Sequence, residues 1–222
     1  LGSEEKDTSI LHMPKSVKEV GHLLLLMVTR NGVGKKTAAK SFHDVRRSGL
    51  IALKLKNADE LVSALFVEKG DEVILVTEKG QSIRFRESDI REMGRGAAGV
   101  KAMRLAKGDA IVGTGIVRKS AERPELLVIM EKGYGKKTPL KQYKTQKRGG
   151  SGIKTAKITS KTGKLCAAHI VVSPDEEVVA ISRKSQVIRT DVKGIPTLGR
   201  QTQGVRIMKL REGDSIASLT CL

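Results

Sequence analysis

The sequence predicts an all-β fold, a propeller-like disc of tandem four-stranded blades, on two observations. One is a repeat of about 50 residues that recurs four times, the period of a blade that cannot bury both faces alone but can against stacked neighbours. The other is the content of each repeat, where apolar or alternating runs are broken by hairpin-type turns such as Asn31-Gly32 and Lys79-Gly80. Two consecutive β-barrels or sandwiches would use the same strands, but the near-constant period argues against them. Almost no helix is expected.

Taken in order, residues 1–22 read as the remnant of a preceding blade plus a linker, and 23–222 as blades 23–67, 71–117, 124–171 and 176–222. The remnant is Asp7-Thr-Ser-Ile-Leu-His-Met13, which precedes the similar segment at Asp59 by 52 residues. Each blade opens with an apolar strand and a tight turn: LLLLMVTRNGVGKK, DEVILVTEKGQSIR, PELLVIMEKGYGKK and EEVVAISRKSQVIR. The turn residues align as Gly32, Gly80, Gly133 and Ser185, separated by 48, 53 and 52. A second landmark follows in RRSGLIALKL, GAAGVKAMRL, GGSGIKTAKI and TQGVRIMKL, with glycines at Gly49, Gly99, Gly152 and Gly204. Ten residues beyond each comes Asp59, Asp109, Thr162 or Asp214, and then a closing apolar strand.

Charge narrows the function. Lys and Arg total 42 against 24 acids, a net +18, which implies an anionic partner. The apolar run after His22 has only six residues, far short of the roughly 20 that cross a bilayer, so no membrane partner is expected. Cys166 and Cys221 are too few for a disulfide framework or a zinc site, and a reducing cytoplasm is the expected setting. Phe42, Phe66, Phe85, Tyr134 and Tyr143 are the only aromatics. Single-strand and RNA binders need stacking platforms, so cations without aromatics favour the phosphate backbone of a duplex.

Motifs for chemistry fail on context. Gly94-Arg-Gly96-Ala-Ala-Gly99 spells a dinucleotide fingerprint, but it is one copy of the recurring glycine loop and lacks a βαβ setting. Gly32 to Thr37 and Gly133 to Thr138 resemble phosphate loops, yet Thr29 and Met130 stand where another Gly is required. The histidines at 12, 22, 43 and 169 have no ligand spacing. No catalytic residue, metal or cofactor is expected in this chain.

The candidate DNA-binding residues are cations beside turns and glycine loops: Lys35, Lys36, Arg46, Arg47, Lys136, Lys137, Lys141, Lys144 and Lys154, with Gln146, Lys147, Arg148, Gly149, Gly150 and Gly152 at their centre. In this last run, adjacent basic residues precede three glycines, which would let backbone N–H groups approach a phosphate. The third repeat is also the most basic, with 11 cations against 2 acids, where the others have 8 against 3, 7 and 5. Alternatives of another class are a basic propeller that meets an acidic protein, or an enzyme with converging carboxylates in a channel. The sequence offers none of the latter.

With these residues assembled, the chain resembles the C-terminal domain of DNA gyrase A and, more loosely, that of the corresponding topoisomerase IV protein. The carrying stretches are EVILVTEKGQSIRFRESDIREMGRGAAGVKAMRLAKGDAIV, NGVGKKTAAKSF, EKGYGKKTPLKQY and TLGRQTQGVRIMKL. The resemblance implies a β-pinwheel whose basic rim bends and wraps duplex DNA, serving ATP-dependent negative supercoiling by a type IIA topoisomerase. ATP and Mg2+ would belong to that holoenzyme, an A2B2 assembly of gyrase A with gyrase B, in the bacterial cytoplasm at the nucleoid. The family's Gln-Arg-Arg-Gly-Gly-Lys-Gly box is matched by Gln146 to Gly152 at five of seven positions, Lys147 and Ser151 departing. The family's box lies in its first blade; either it preceded these repeats, or Gln146 to Gly152 is a displaced variant.

Overall fold

Each repeat opens with a run too apolar to face water on either side, and the computed structural model places three of these runs as central strands buried on both faces. It describes residues 11–12, 21–43, 49–56, 58–173 and 176–221. The first repeat contains β1 (Leu24–Thr29), β2 (Val33–Ala38) and β3 (Leu61–Val67); the second has β4 (Glu72–Thr77), β5 (Gln81–Arg86), β6 (Val100–Lys101) and β7 (Ile111–Val117). The third has β8 (Glu125–Met130), β9 (Tyr134–Pro139), β10 (Ile153–Lys154) and β11 (Leu165–Val171). The fourth has β12 (Glu177–Ser182), β13 (Val187–Asp191), β14 (Val205–Arg206) and β15 (Ile216–Cys221). Helix is confined, among the described residues, to four 3-10 turns of three or four residues.

The four sheets are antiparallel, in the orders β3-β1-β2-β6, β10-β5-β4-β7, β11-β8-β9-β14 and β13-β12-β15. Four blades form, as the repeats predict. Their membership corrects the expectation of four strands from each repeat. The two-residue strand after the glycine loop crosses to the outer strand of the blade before it: β6 pairs with β2, β10 with β5 and β14 with β9. The fourth sheet has three strands among the described residues. The proposed remnant at Asp7 to Met13 falls outside the described residues except for Leu11 and His12, which are in no strand.

Apolar cores fill the spaces between blades. Leu26 and Val28 of the first blade pack with Val73, Leu75, Ile83 and Phe85 of the second, and Ala102 and Met103, just past β6, are buried with them. Ile74 and Val76 meet Leu126, Val128 and Met130 at the next joint, and Leu127 and Ile129 meet Val178 and Ala180 at the last. β1, β4 and β8 share one pattern, buried at every position after the first, because each is covered on both faces. β12 alternates instead, leaving Ile181 exposed on its uncovered side.

The recurring Asp after each glycine loop ties the hairpin. Asp109 Oδ1 accepts from the Lys79 and Ala110 N–H groups and Oδ2 accepts from Thr77 Oγ1 at 2.7 Å. Asp214 does the same for Lys184, Ser215 and Ser182.

At the three joints the landmark glycines are required by the crossing strand. Gly80 has φ +81°, and a Cβ there would stand 2.8 Å from the Ala156 carbonyl oxygen of the next repeat. Gly152, at φ +75°, lies against the Ser82 carbonyl so closely that a Cβ would overlap it. Gly96, in the fingerprint-like stretch, has nothing within 4 Å and no positive φ. Gly152→Ala should therefore destabilise by about 2 kcal/mol or more, from the left-handed backbone and the overlap together. Gly96→Ala should stay within about 0.5 kcal/mol of the parent. Urea unfolding of the two variants measures the difference.

Candidate nucleic-acid interface

Among the predicted site residues, the lysine pairs after the turns do not reach the surface. Lys35 and Lys136 are fully buried, and Lys36 and Lys137 nearly so. Their strands are gripped by the next repeat, and three of the ammonium groups are used to hold it. Lys136 Nζ donates to the carbonyls of Gly199 and Arg200, each at 2.6 Å, and to Thr202 Oγ1 at 3.1 Å. Lys35 Nζ donates to the Ala52 carbonyl at 2.7 Å and to that of Arg95. Lys36 is ion-paired with buried Glu87 of the second repeat, and Lys137 lies 3.5 Å from Glu125. The expected contact with phosphate is corrected for Lys35, Lys36 and Lys136, whose ammonium groups are enclosed at the joints, whereas Lys137 is held by Glu125 of its own blade.

Part of the glycine-rich run is also engaged at a joint. Gly149 N–H donates to the Ala102 carbonyl at 2.6 Å, and the Gly150 carbonyl accepts from Arg104 N–H at 2.9 Å. Gln146 N–H donates to the Arg84 carbonyl at 2.7 Å. Arg148 reaches backwards too, donating from Nε to the Asp89 carbonyl and from Nη1 to that of Lys101. Arg200 repeats this contact one blade later, on the Lys154 carbonyl at 2.9 Å. The close backbone approach foreseen for these glycines is real, but what approaches is the preceding blade. Lys141, Lys144, Lys147 and Lys154 remain exposed as expected. Arg46 and Arg47 lie outside the described residues.

Lys154 belongs to a set of rim cations whose other two members, Lys101 and Arg206, the sequence reading missed. The crossing strands place Lys101 opposite Val33, Lys154 opposite Gln81 and Arg206 opposite Tyr134. All three are exposed on the outermost strand of their sheets, one per joint. Their signal lay in the aligned loops, as the third residue of Gly99-Val-Lys101, Gly152-Ile-Lys154 and Gly204-Val-Arg206. In the first repeat this position is Ile51. Arg104, Lys157 and Lys209 extend the row three residues further on.

Four tandem blades joined by crossing strands, with a cation at the same register of each, can be compared with known proteins. The model of the DNA gyrase C-terminal domain, beta-propeller, matches residues 24–68, 71–118, 124–171 and 176–222. The chain belongs to this family. It is 38% identical over 214 residues to DNA gyrase A of Lawsonia intracellularis, covering 96% of this chain and 26% of that one. Against DNA gyrase A from Mycobacterium tuberculosis it is 39% identical over 197 residues, 88% of this chain and 23% of that one. The chain thus spans about a quarter of the length of these relatives.

Among solved structures, a DNA gyrase A C-terminal domain matches with a TM-score of 0.83 and 29% identity, over all of this chain and 72% of that one. The C-terminal domain of a DNA topoisomerase IV matches at 0.84 and 26% identity, over 90% and 62%. The E. coli ParC C-terminal domain, at 0.65 and 15%, shares the fold.

Other groups have quiet surroundings. Burial pushes the Cys166 thiol up to about 12 and that of Cys221 to about 11, which keeps both protonated. No group of three His, Cys, Asp or Glu that could hold a metal occurs among the described residues. No helix there is long and apolar enough to cross a membrane.

The joint lysines carry a pH signature. Burial, and then the Arg200 charge, lower Lys136 to about 8 from its ordinary 10.5. Between those values the unfolded chain holds more proton than the folded one, so this group makes stability rise as pH increases through that window. In Lys136→Met that rise should be absent. The variant should also lose about 1–3 kcal/mol, because the Gly199 and Arg200 carbonyls lose their donor. Urea midpoints from pH 7 to 10.5 check both.

Proposed function

We propose that this chain binds duplex DNA along its outer rim and bends it, as the C-terminal domain of a DNA gyrase A. The observation that carries this is the cation at equal register on each crossing strand, Lys101, Lys154 and Arg206. A polyanion with evenly spaced charge that follows the rim meets them in turn. Contacts of this kind go to phosphates, so binding has little sequence preference. Family membership favours gyrase over topoisomerase IV, whose C-terminal domain shares the fold equally well. In the parent protein the wrapped segment would be presented for strand passage, supporting ATP-dependent negative supercoiling. ATP, Mg2+ and the A2B2 partners enter there, and the cytoplasm at the nucleoid is the expected site.

The test is the salt dependence of duplex affinity by fluorescence anisotropy. Removing two phosphate contacts in Lys101→Ala/Lys154→Ala should lower the log–log slope by about 2 and weaken all duplex sequences alike. Stability should hold within about 0.5 kcal/mol, since both side chains face solvent. Arg148→Ala should instead lower the urea midpoint, because it frees two backbone carbonyls at the joint. A wild-type slope near zero would remove the phosphate-rim reading.

A further inference from the structure

A strongly positive concavity lies at the joint of the third and fourth blades, away from the Gln146 to Gly152 run. It is an open cleft of about 430 Å³ lined by Lys132, Lys161, Arg206, Lys209 and Arg211, with Tyr134 at its base. Tyr134 is buried, and Arg206 Nη2 donates to its hydroxyl at 3.2 Å. The Lys161 ammonium and the Arg206 guanidinium each stand 5.6 Å from the ring centroid. The one carboxylate in the lining, Asp214, is committed to Ser182, Lys184 and Ser215. Lys132 is partly engaged through the Ser160 carbonyl. Equivalent positions at the other joints are poorer. The first joint has Asn31, Val33, Ala58 and Ala106 where this one has Lys132, Tyr134, Lys161 and Arg211; the second has Gln81, Gly108 and Thr159 at the last three.

We propose that this cleft is a phosphate site, the anchor at which the duplex backbone is held most tightly on the rim. The proposal rests on the DNA-binding reading for the identity of its ligand. Five cations converge on one concavity over a flat aromatic floor, and they can place several donors on the oxygens of one or two adjacent phosphates. The Arg206 hydrogen bond is the main influence holding the Tyr134 phenol below its ordinary range; burial opposes it, and the charges of Arg206 and Lys161 reinforce it. A bound anion that draws these cations off the ring changes the electronic surroundings of the tyrosine.

That change is the first readout. The chain has no Trp and only two Tyr, and Tyr143 is enclosed with its hydroxyl 2.6 Å from Thr155 Oγ1. Tripolyphosphate, which does not absorb near 280 nm, should alter the tyrosine emission of the wild type and leave that of Tyr134→Phe unchanged. The second readout is anisotropy with a labelled duplex. Lys161→Ala/Lys209→Ala/Arg211→Ala should weaken duplex binding about tenfold more than Lys101→Ala/Arg104→Ala/Lys107→Ala, an equal loss of charge at the first joint. Urea unfolding verifies that both triple variants are folded. Equal losses in the two variants overturn the anchor, even if the rim binds DNA. A tripolyphosphate response without wild-type duplex binding removes the DNA reading and leaves a site for free polyphosphate. If tripolyphosphate leaves the tyrosine unchanged and the losses are equal, the cleft is solvated surface charge.

Discussion

A two-residue strand handed from each repeat to the blade before it is the interaction on which the rest of the structure depends. It seats where the incoming loop supplies a glycine, and at two of the three joints the receiving strand supplies one as well. Gly99 approaches the Gly34 carbonyl so closely that a Cβ would stand 2.8 Å from the oxygen, and a Cβ on Gly34 would stand 2.8 Å from Ile90. Gly204 and Gly135 form the same pair two joints later, and Gly152 faces Ser82 at the joint between. Around each pair the joint is tied by backbone bonds such as Thr155 N–H to the Gly80 carbonyl at 2.8 Å and Ile207 N–H to that of Gly133 at 2.8 Å. Blade stacking, burial of the apolar runs and the placement of rim cations follow from this seating.

The same constraint divides the cations into two populations. Those on the receiving strand, one and two residues past the crossing site, face the incoming loop and are buried by it. Lys35 donates to the Arg95 carbonyl and Lys136 to those of Gly199 and Arg200, and the guanidinium of Arg84 reaches the carbonyls of Leu140 and Tyr143 in the same sense. Those on the crossing strand itself have nothing outside them and face water. Net charge per repeat therefore misstates rim charge. The third repeat's excess includes Lys136, which serves a joint, and Lys137, which pairs with Glu125 of its own blade, whereas Arg206, Lys209 and Arg211 reach the same rim from the fourth.

Fold class and blade number were legible because they depend on period and pattern. The central strands read as continuous apolar runs, and Gly80 and Gly133 stood where the hairpins turn. What the pattern could not supply was the partner of the short strand, since Gly152-Ile-Lys154 carries no mark that says whether it pairs within its own repeat or across the joint. The lysine pairs failed for the same reason. A Lys-Lys dipeptide on a two-faced strand looks solvated until the neighbour that covers both residues is known. Glu87, which pairs with Lys36 across the joint, lies 51 residues away. The rim cations were readable from alignment of the loops, but the bulk of adjacent charge at Lys147 and Arg148 drew attention from them.

The fourth blade shows that the joint has a direction. Its turn holds Ser185 at φ +59° where the others hold Gly, and Val187 takes the place of Gly34, Ser82 and Gly135. Val187 is 61% exposed. Ile188 replaces the stapling lysine, while Arg189 keeps the in-blade ion pair with Glu177. No strand crosses to this edge among the described residues. Charged Arg189, Asp191 and Lys193 along it also resist casual pairing. Because each of the three short strands pairs with the blade before it, the rim cations recur with a fixed polarity. A duplex on the proposed path would be bent by that polarity, with no need for the protein to read its sequence.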